Sequence, residues 1–338
     1  MVDKREFSRG MSAKGGKVLG LLAIGLTLSM AMGARAAVAD TWPSRPITMI
    51  VPWGAGGGTD VLARTLAASM EKNLGQPVNV VNRTGGSGLI GHSALAGAAP
   101  DGYTIGTINV DLSQLVCKGL TDLTADKFTH IALLNAEAAG VSVNAGSEWK
   151  SLQQVLDAIR QKPAGTYKAS GTGTGGIYHL SWAGLLVKAG IDPSKVPWVP
   201  SQGEAPSLKD VAAGAVDFVA PPLTSALPLI EAGKVRPLAT MSETRFSKLP
   251  DVPTVKEAVG IDWTSKTWRM IGAPAGMDAA LRDQIVKAVR DAYDGEAFTA
   301  FMNDRGFAKT WMGPVEAAAY HKAEDSAICD VMKAAGLQ

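Results

Sequence analysis

Pro46-Ile47-Thr48-Met49-Ile50-Val51-Pro52-Trp53-Gly54-Ala55-Gly56-Gly57-Gly58-Thr59-Asp60 decides the fold. Its first part is a short apolar run of strand formers, closed by Pro52 and a cluster of glycines. From Thr59 the period changes to that of a helix, with Leu62, Leu66, Met70 and Leu74 spaced by four. Asp60 falls in the first helical turn, where a carboxylate satisfies free N–H groups. A strand that ends in a glycine loop opening a helix is an anion seat. Glycine lets N–H groups converge, and the helix dipole favours negative charge.

The same order recurs downstream. Val78-Asn79-Val80-Val81 meets Gly85-Gly86-Ser87-Gly88 and a small-residue helix, and Tyr103 to Asn109 reads as a third strand. A second unit starts after Val141-Ser142-Val143. There Tyr167 to Ser170 is a strand, Gly171, Gly173, Gly175 and Gly176 form a loop, and a helix runs from Ile177 to Ala189. Trp198-Val199-Pro200, a helix ending at Ala213, and strands at Val216–Ala220 and Val235–Met241 complete it; residues 274–338 read as mainly helical. The β–loop–α–β order implies an α/β protein with mostly parallel sheets. In such sheets ligands bind at the loops beyond the strand ends.

The whole chain has 338 residues, 46% hydrophobic and 19% charged, with a net charge of +2, which excludes a disordered chain. No basic stripe supports nucleic-acid binding. Residues 1–39 have a basic start, a charge-free run from Val18 to Met32, and small residues through Ala39, the order of a secretory signal peptide. Cleavage is expected after Ala39. This leader carries six basic residues against two acidic ones, so its removal takes the net charge from +2 to about −2. In a bacterium the address would be the periplasm. Two cysteines, Cys117 and Cys329, leave both a bridge and two free thiols open in an oxidising compartment.

Enzymatic readings are weak. Gly86-Ser87-Gly88-Leu89-Ile90-Gly91 matches a dinucleotide fingerprint with Asp111 downstream, but a second match at Gly171–Gly176 shows how cheap such hits are among 38 glycines. Gly85-Gly86-Ser87-Gly88-Leu89 breaks a nucleophile elbow at its last residue. His92, His130, His179 and His321 lack metal-ligand spacing. No cofactor, metal or catalytic residue is assigned.

Several stretches together resemble the Bug/TctC receptors, the periplasmic substrate-binding proteins of tripartite tricarboxylate transporters (TTT). They are Trp42-Pro43-Ser44-Arg45-Pro46-Ile47, the Val51–Asp60 loop, Asn82-Arg83, Ala99-Pro100-Asp101-Gly102-Tyr103-Thr104, Gly214-Ala215-Val216-Asp217, Leu249-Pro250-Asp251-Val252-Pro253-Thr254 and Ala273-Pro274-Ala275-Gly276. The resemblance implies a non-catalytic receptor with a type II periplasmic binding protein fold: two lobes, a central cleft and two crossing strands. The crossings map near Ala139–Val143 and Trp268–Ala273. Lobe one would be residues 40–142 with 265–338, and lobe two residues 143–264. The ligand would be a small organic acid, a di- or tricarboxylate or a relative, delivered by a monomeric receptor to the TTT permease subunits. A sensor subunit serving a kinase, or a secreted α/β enzyme, is the alternative. Carried over residue by residue, ligand binding falls to Trp53, Ala55, Gly56, Gly57, Thr59, Asp60, Ser87, Ser170, Thr172 and Thr174, with Trp268 at the hinge. Recognition is expected to rest on backbone N–H groups. Arg269, beside Trp268, is the side chain that could supply a counter-charge instead, although a hinge salt bridge is the expected role.

Overall fold

The computed structural model describes residues 42–334, so the leader and its cleavage site lie outside the described residues. The chain begins β1 (Ile47–Val51), α1 (Gly58–Leu74), β2 (Val78–Asn82), α2 (Leu89–Ala96), β3 (Thr104–Asn109), α3 (Asp111–Cys117) and β4 (Phe128–Ala138). It passes into a second sheet through β5 (Gly140–Asn144), α4 (Leu152–Gln161), β6 (Ala169–Ser170), α5 (Ile177–Lys188), β7 (Trp198–Val199), α6 (Glu204–Ala213), β8 (Phe218–Val219), α7 (Leu223–Glu231) and β9 (Val235–Thr240). After α8 (Val255–Val259) it returns with β10 (Lys266–Pro274), α9 (Ala279–Asp294), α10 (Glu296–Arg305), β11 (Lys309–Met312) and α11 (Pro314–Ala334).

The strands make a six-stranded sheet, β11-β4-β10-β3-β1-β2, and a five-stranded sheet, β7-β6-β8-β5-β9. Both are mixed, which corrects the expectation of mostly parallel pairing. β1 runs parallel to β2 and β3, but β10 runs antiparallel to both β3 and β4. In the other sheet β6 is parallel to β7 and β8, while β5 is antiparallel to β8 and β9. Strands β4, β5, β9 and β10, by which the chain leaves one sheet and comes back to it, all pair antiparallel, as β11 does with β4. β4 and β5 are separated by Ala139 alone, so one extended segment serves both sheets.

β4 is the longest strand and received no assignment from sequence. Its Ile131-Ala132-Leu133-Leu134 run is buried on both faces, so the two-residue alternation that marks a half-exposed strand is absent. β10 is also buried along nearly its whole length. Successive side chains on it alternate between faces. Trp268 and Met270 enter the core shared with α11, while Ile271 and Ala273, after a register shift at Arg269/Met270, face the core under α1 and α9. Cys117, ending α3, is bridged to Cys329 of α11, which settles the open cysteine question and pins the last helix to the six-stranded sheet. Among the described residues no helix is long and apolar enough to cross a membrane.

Candidate functional site

The first glycine loop is built to aim the start of α1. Asp60 Oδ2 accepts the Gly56 N–H at 2.8 Å and Arg64 Nε at 3.0 Å, and Asn82 Nδ2 donates to Asp60 Oδ1 at 2.8 Å. Burial pushes the Asp60 carboxyl up, but Arg64, the Gly56 N–H and Asn82 outweigh it and hold it below its ordinary value. Asp60 is therefore the clasp of the loop. The second loop turns through four residues of positive φ, Gly85, Gly86, Ser87 and Gly88, of which only Ser87 carries a side chain. L side chains rarely adopt that region, so the glycines are a conformational need here.

The third loop, after β6, is fixed by His179. Its Nδ1 accepts the Gly175 N–H at 2.9 Å, and its ring stacks on Trp198 with centroids 4.7 Å apart. An accepting nitrogen requires a neutral ring, and burial, with Lys118 adding to it, lowers the His179 pKa to about 4. Trp198 Nε1 donates to the Thr172 carbonyl at 3.0 Å.

The first and third of these loops meet at a pocket of about 10 Å³, room for about one water, lined by Trp53, Gly57, Gly58, Thr59, Asn109, Asp111, Thr172, Tyr178, Gly203, Glu204 and Thr267. Of the sequence-derived candidates, the structure brings Trp53, Gly57, Thr59 and Thr172 together there. Ala55 and Gly56 are exposed on the loop, and Asp60 faces Arg64 and Asn82. Ser87 and Thr174 meet in a neighbouring closed gap with Lys118, where Ser87 lies against Gly173. Ser170 is spent inside the sheet, its Oγ donating to the Val199 carbonyl at 2.8 Å. Trp268 does not reach the pocket. Strand alternation sends it to the α11 face, where its Nε1 donates to Glu324 Oε2 at 3.1 Å and its ring packs edge-on against Tyr320 and His321. Its neighbours Thr267 and Arg269 take the pocket face instead.

Beneath the pocket lies an ion network. Arg269 is fully buried; its Nε donates to Thr59 Oγ1 at 3.0 Å, its Nη2 to Glu204 Oε1 at 2.7 Å, and its Nη1 to Glu137 Oε2. Glu204 Oε2 accepts the Gly58 N–H at 2.7 Å and the Ser225 hydroxyl at 2.6 Å, while the Tyr178 hydroxyl donates to Oε1. Burial pushes Glu204 up, yet the Arg269 charge with the Ser225, Tyr178 and Gly58 bonds prevails and holds it ionised below its ordinary value. For Glu137 burial prevails and the carboxyl is raised despite Arg269. A Cβ at Gly58 would stand 2.6–2.7 Å from Glu204 Oε2, Arg269 Nη2 and Ser225 Oγ, so the network closes only over a glycine.

Asp111 opens α3, and its Oδ1 accepts the Ile177 N–H at the start of α5 at 2.8 Å. Burial raises its carboxyl to about 7, with the Glu204 charge adding and the Ile177 N–H opposing. Asn109 Nδ2 donates to Thr59 Oγ1 at 3.2 Å; Asn109 Oδ1 and Thr172 Oγ1 are buried without a hydrogen-bond partner. Arg269 thus has the salt-bridge role expected of it, but at the floor of the pocket. The residues missed from sequence are Glu204, Tyr178, Asn109, Thr267 and Asp111 as a pocket carboxylate. Glu204 and Asp111 carried a weak signal as acidic residues at helix starts, which mimics ordinary capping. Among the described residues no group of three or more His, Cys, Asp or Glu could hold a metal ion.

Comparison with known proteins agrees with this architecture. The chain matches the description "Tripartite tricarboxylate transporter family receptor" over residues 62–336. It is similar to Protein BugT of Bordetella pertussis, 30% identical over 286 residues that cover 82% of this chain and 85% of BugT. Rpa4515 of R. palustris, solved with adipate, superposes with a TM-score of 0.81 at 28% identity, covering 87% of this chain and 98% of that one. MatC of Rhodopseudomonas palustris, solved with bound malate, gives 0.78 at 26% identity, covering 86% and 99%. The two mixed sheets, the glycine loops at the strand ends and these likenesses together place the chain in the tripartite tricarboxylate transporter receptor family, the Bug/TctC periplasmic solute-binding proteins of type II fold, which are not enzymes.

Proposed function

We propose that this receptor captures a small dicarboxylate or related organic acid between two lobes and delivers it to the TTT permease subunits in the membrane. The lobes are residues 40–142 with 265–338, and residues 143–264; the two sheets support this order of segments, with the first crossover drawn back to Ala139 because β5, from Gly140, already belongs to the five-stranded sheet. The leader directs export and is removed after Ala39. The observation that carries the reading is the pair of helix starts at the pocket, α1 and α5, each with a first-residue N–H bonded to a carboxylate oxygen. For the ionised Glu204, a charge-assisted bond of this kind is worth roughly 1.5–3 kcal/mol. The related structures holding malate and adipate agree with a ligand that carries a carboxylate at each end. Trp53, Gly57, Thr59 and Thr172 would line the ligand, with Asn109, Thr267 and Tyr178 completing the wall.

A thermal-shift panel of mono-, di- and tricarboxylates on the mature protein tests this. A dicarboxylate at a hundred times its Kd stabilises the fold by about 2.7 kcal/mol. A panel in which carboxylates leave the melting temperature unchanged while uncharged solutes raise it rejects the reading.

A further inference from the structure

Both helix starts at the pocket are filled by the protein itself, and each by a side chain from the opposite sheet. Glu204 opens α6, which packs on β5, β8 and β9 of the five-stranded sheet. Its carboxylate reaches the first turn of α1, which packs on β1 and β2 of the six-stranded sheet. Asp111, following β3 of the six-stranded sheet, reaches back to the start of α5, which follows β6 of the five-stranded sheet. The two carboxylates line one pocket that has room for about one water. A salt bridge alone would not need this geometry. Only Oε1 of Glu204 meets Arg269, while Oε2 is given to a backbone N–H and to Ser225. Two further polar atoms at the pocket, Asn109 Oδ1 and Thr172 Oγ1, are buried and unpartnered, as they would be where a ligand has been replaced incompletely.

We propose that Glu204 and the carboxyl group of Asp111 are internal stand-ins for the two carboxyl groups of a small diacid ligand, and that Glu204 sets the selectivity of the site because an incoming carboxylate must displace it. The proposal rests on the carboxylate reading given above. Binding is then an exchange of one carboxylate for another at the Gly58 N–H and Arg269. The ligand-free protein is held closed by its own side chains. Ligands with one carboxylate displace one stand-in and leave the other seated, so two-ended ligands gain most.

The test compares ligand-free mature wild type with Glu204→Ala, Glu204→Gln and Ser225→Ala, using small-angle scattering for compactness and calorimetric titration with adipate and malate. Circular dichroism checks folding, and Ser225→Ala, which removes one hydroxyl donor to Glu204, serves should the Glu204 variants fold poorly. Expected are a larger radius of gyration without ligand for Glu204→Ala and tighter adipate or malate binding by tenfold or more, with Ser225→Ala moving the same way by less. Wild type and Glu204→Ala of equal compactness, or binding by wild type that is unchanged or lost in Glu204→Ala, overturns the proposal alone. Failure of wild type and all variants to bind either acid overturns the carboxylate reading as well.

Discussion

Replacing Arg269 by Met keeps the length of the side chain and removes the buried cation. In the native protein the guanidinium lies 2.7 Å from Glu204 Oε1 and also meets Glu137, all with almost no exposure. At that separation and an effective dielectric constant of about 20, the attraction to Glu204 alone is about 6 kcal/mol before desolvation is counted. Removing one partner of a buried pair strands the other charge, and the net loss is about 3–5 kcal/mol. For a body of roughly 300 residues the unfolding entropy is about 0.6 kcal/mol per degree, so the melting temperature should fall by roughly 5–8 °C at pH 7. The gap should narrow in acid. Glu204 lies below its ordinary value near 4.5, so its contribution in the wild type is complete above that value and is lost as pH falls through the lower folded value. In the variant Glu204 loses its counter-charge and takes up a proton at higher pH. Differential scanning calorimetry of both proteins at pH 7 and pH 4 measures this. A variant within about 1 °C of wild type at pH 7, or a gap that widens in acid, refutes the claim that Arg269 is held by ionised Glu204.

Four further outcomes follow from particular contacts. Gly58→Ala puts a methyl group within 2.7 Å of Glu204, Arg269 and Ser225, whereas the methyl group of Gly57→Ala meets its nearest neighbours at 3.5 Å or more; urea unfolding should show a loss of about 1–3 kcal/mol for the first and less for the second. Trp53 lines the pocket and Trp268 does not, so Trp53→Phe should abolish a ligand-induced change in fluorescence that Trp268→Phe leaves intact. Thiol titration of the denatured, unreduced protein should find no free cysteine, and Cys329→Ser should lower stability by about 2–5 kcal/mol. Asp111 is raised to about 7, so between about pH 4 and 7 the folded protein holds a proton that the unfolded chain releases, and this group makes folding less favourable as pH rises. Asp111→Asn should remove that slope, a difference on the order of 2 kcal/mol between pH 5 and pH 8 in chemical denaturation.

The sequence by itself determined what depends on neighbours along the chain. The run from Pro46 to Asp60 specified strand, glycine turn and helix, because strand formers, backbone freedom and a four-residue period are local properties. Three such loops, each opening a helix, pointed to the strand ends as the candidate site. Trp53, Gly57, Thr59 and Thr172 were legible on those grounds and meet in the pocket. Tertiary structure decided the rest. Whether Trp268 or Arg269 faced the pocket depended on the pleat of a strand buried on both sides, where no alternation of polarity marks the faces. Glu204 drew no reading from the sequence, and Asp111 entered only as the acid downstream of a dinucleotide fingerprint. Their role appears only when α6 is laid against α1 and α3 against α5, because a carboxylate's partner here is an N–H group 146 residues away in one case and 66 in the other. Cys117 and Cys329, 212 positions apart, likewise carried no local sign of pairing. Local sequence encodes backbone conformation; which charges become buried together depends on the packing of elements distant in the chain, and that packing exists only in the folded molecule.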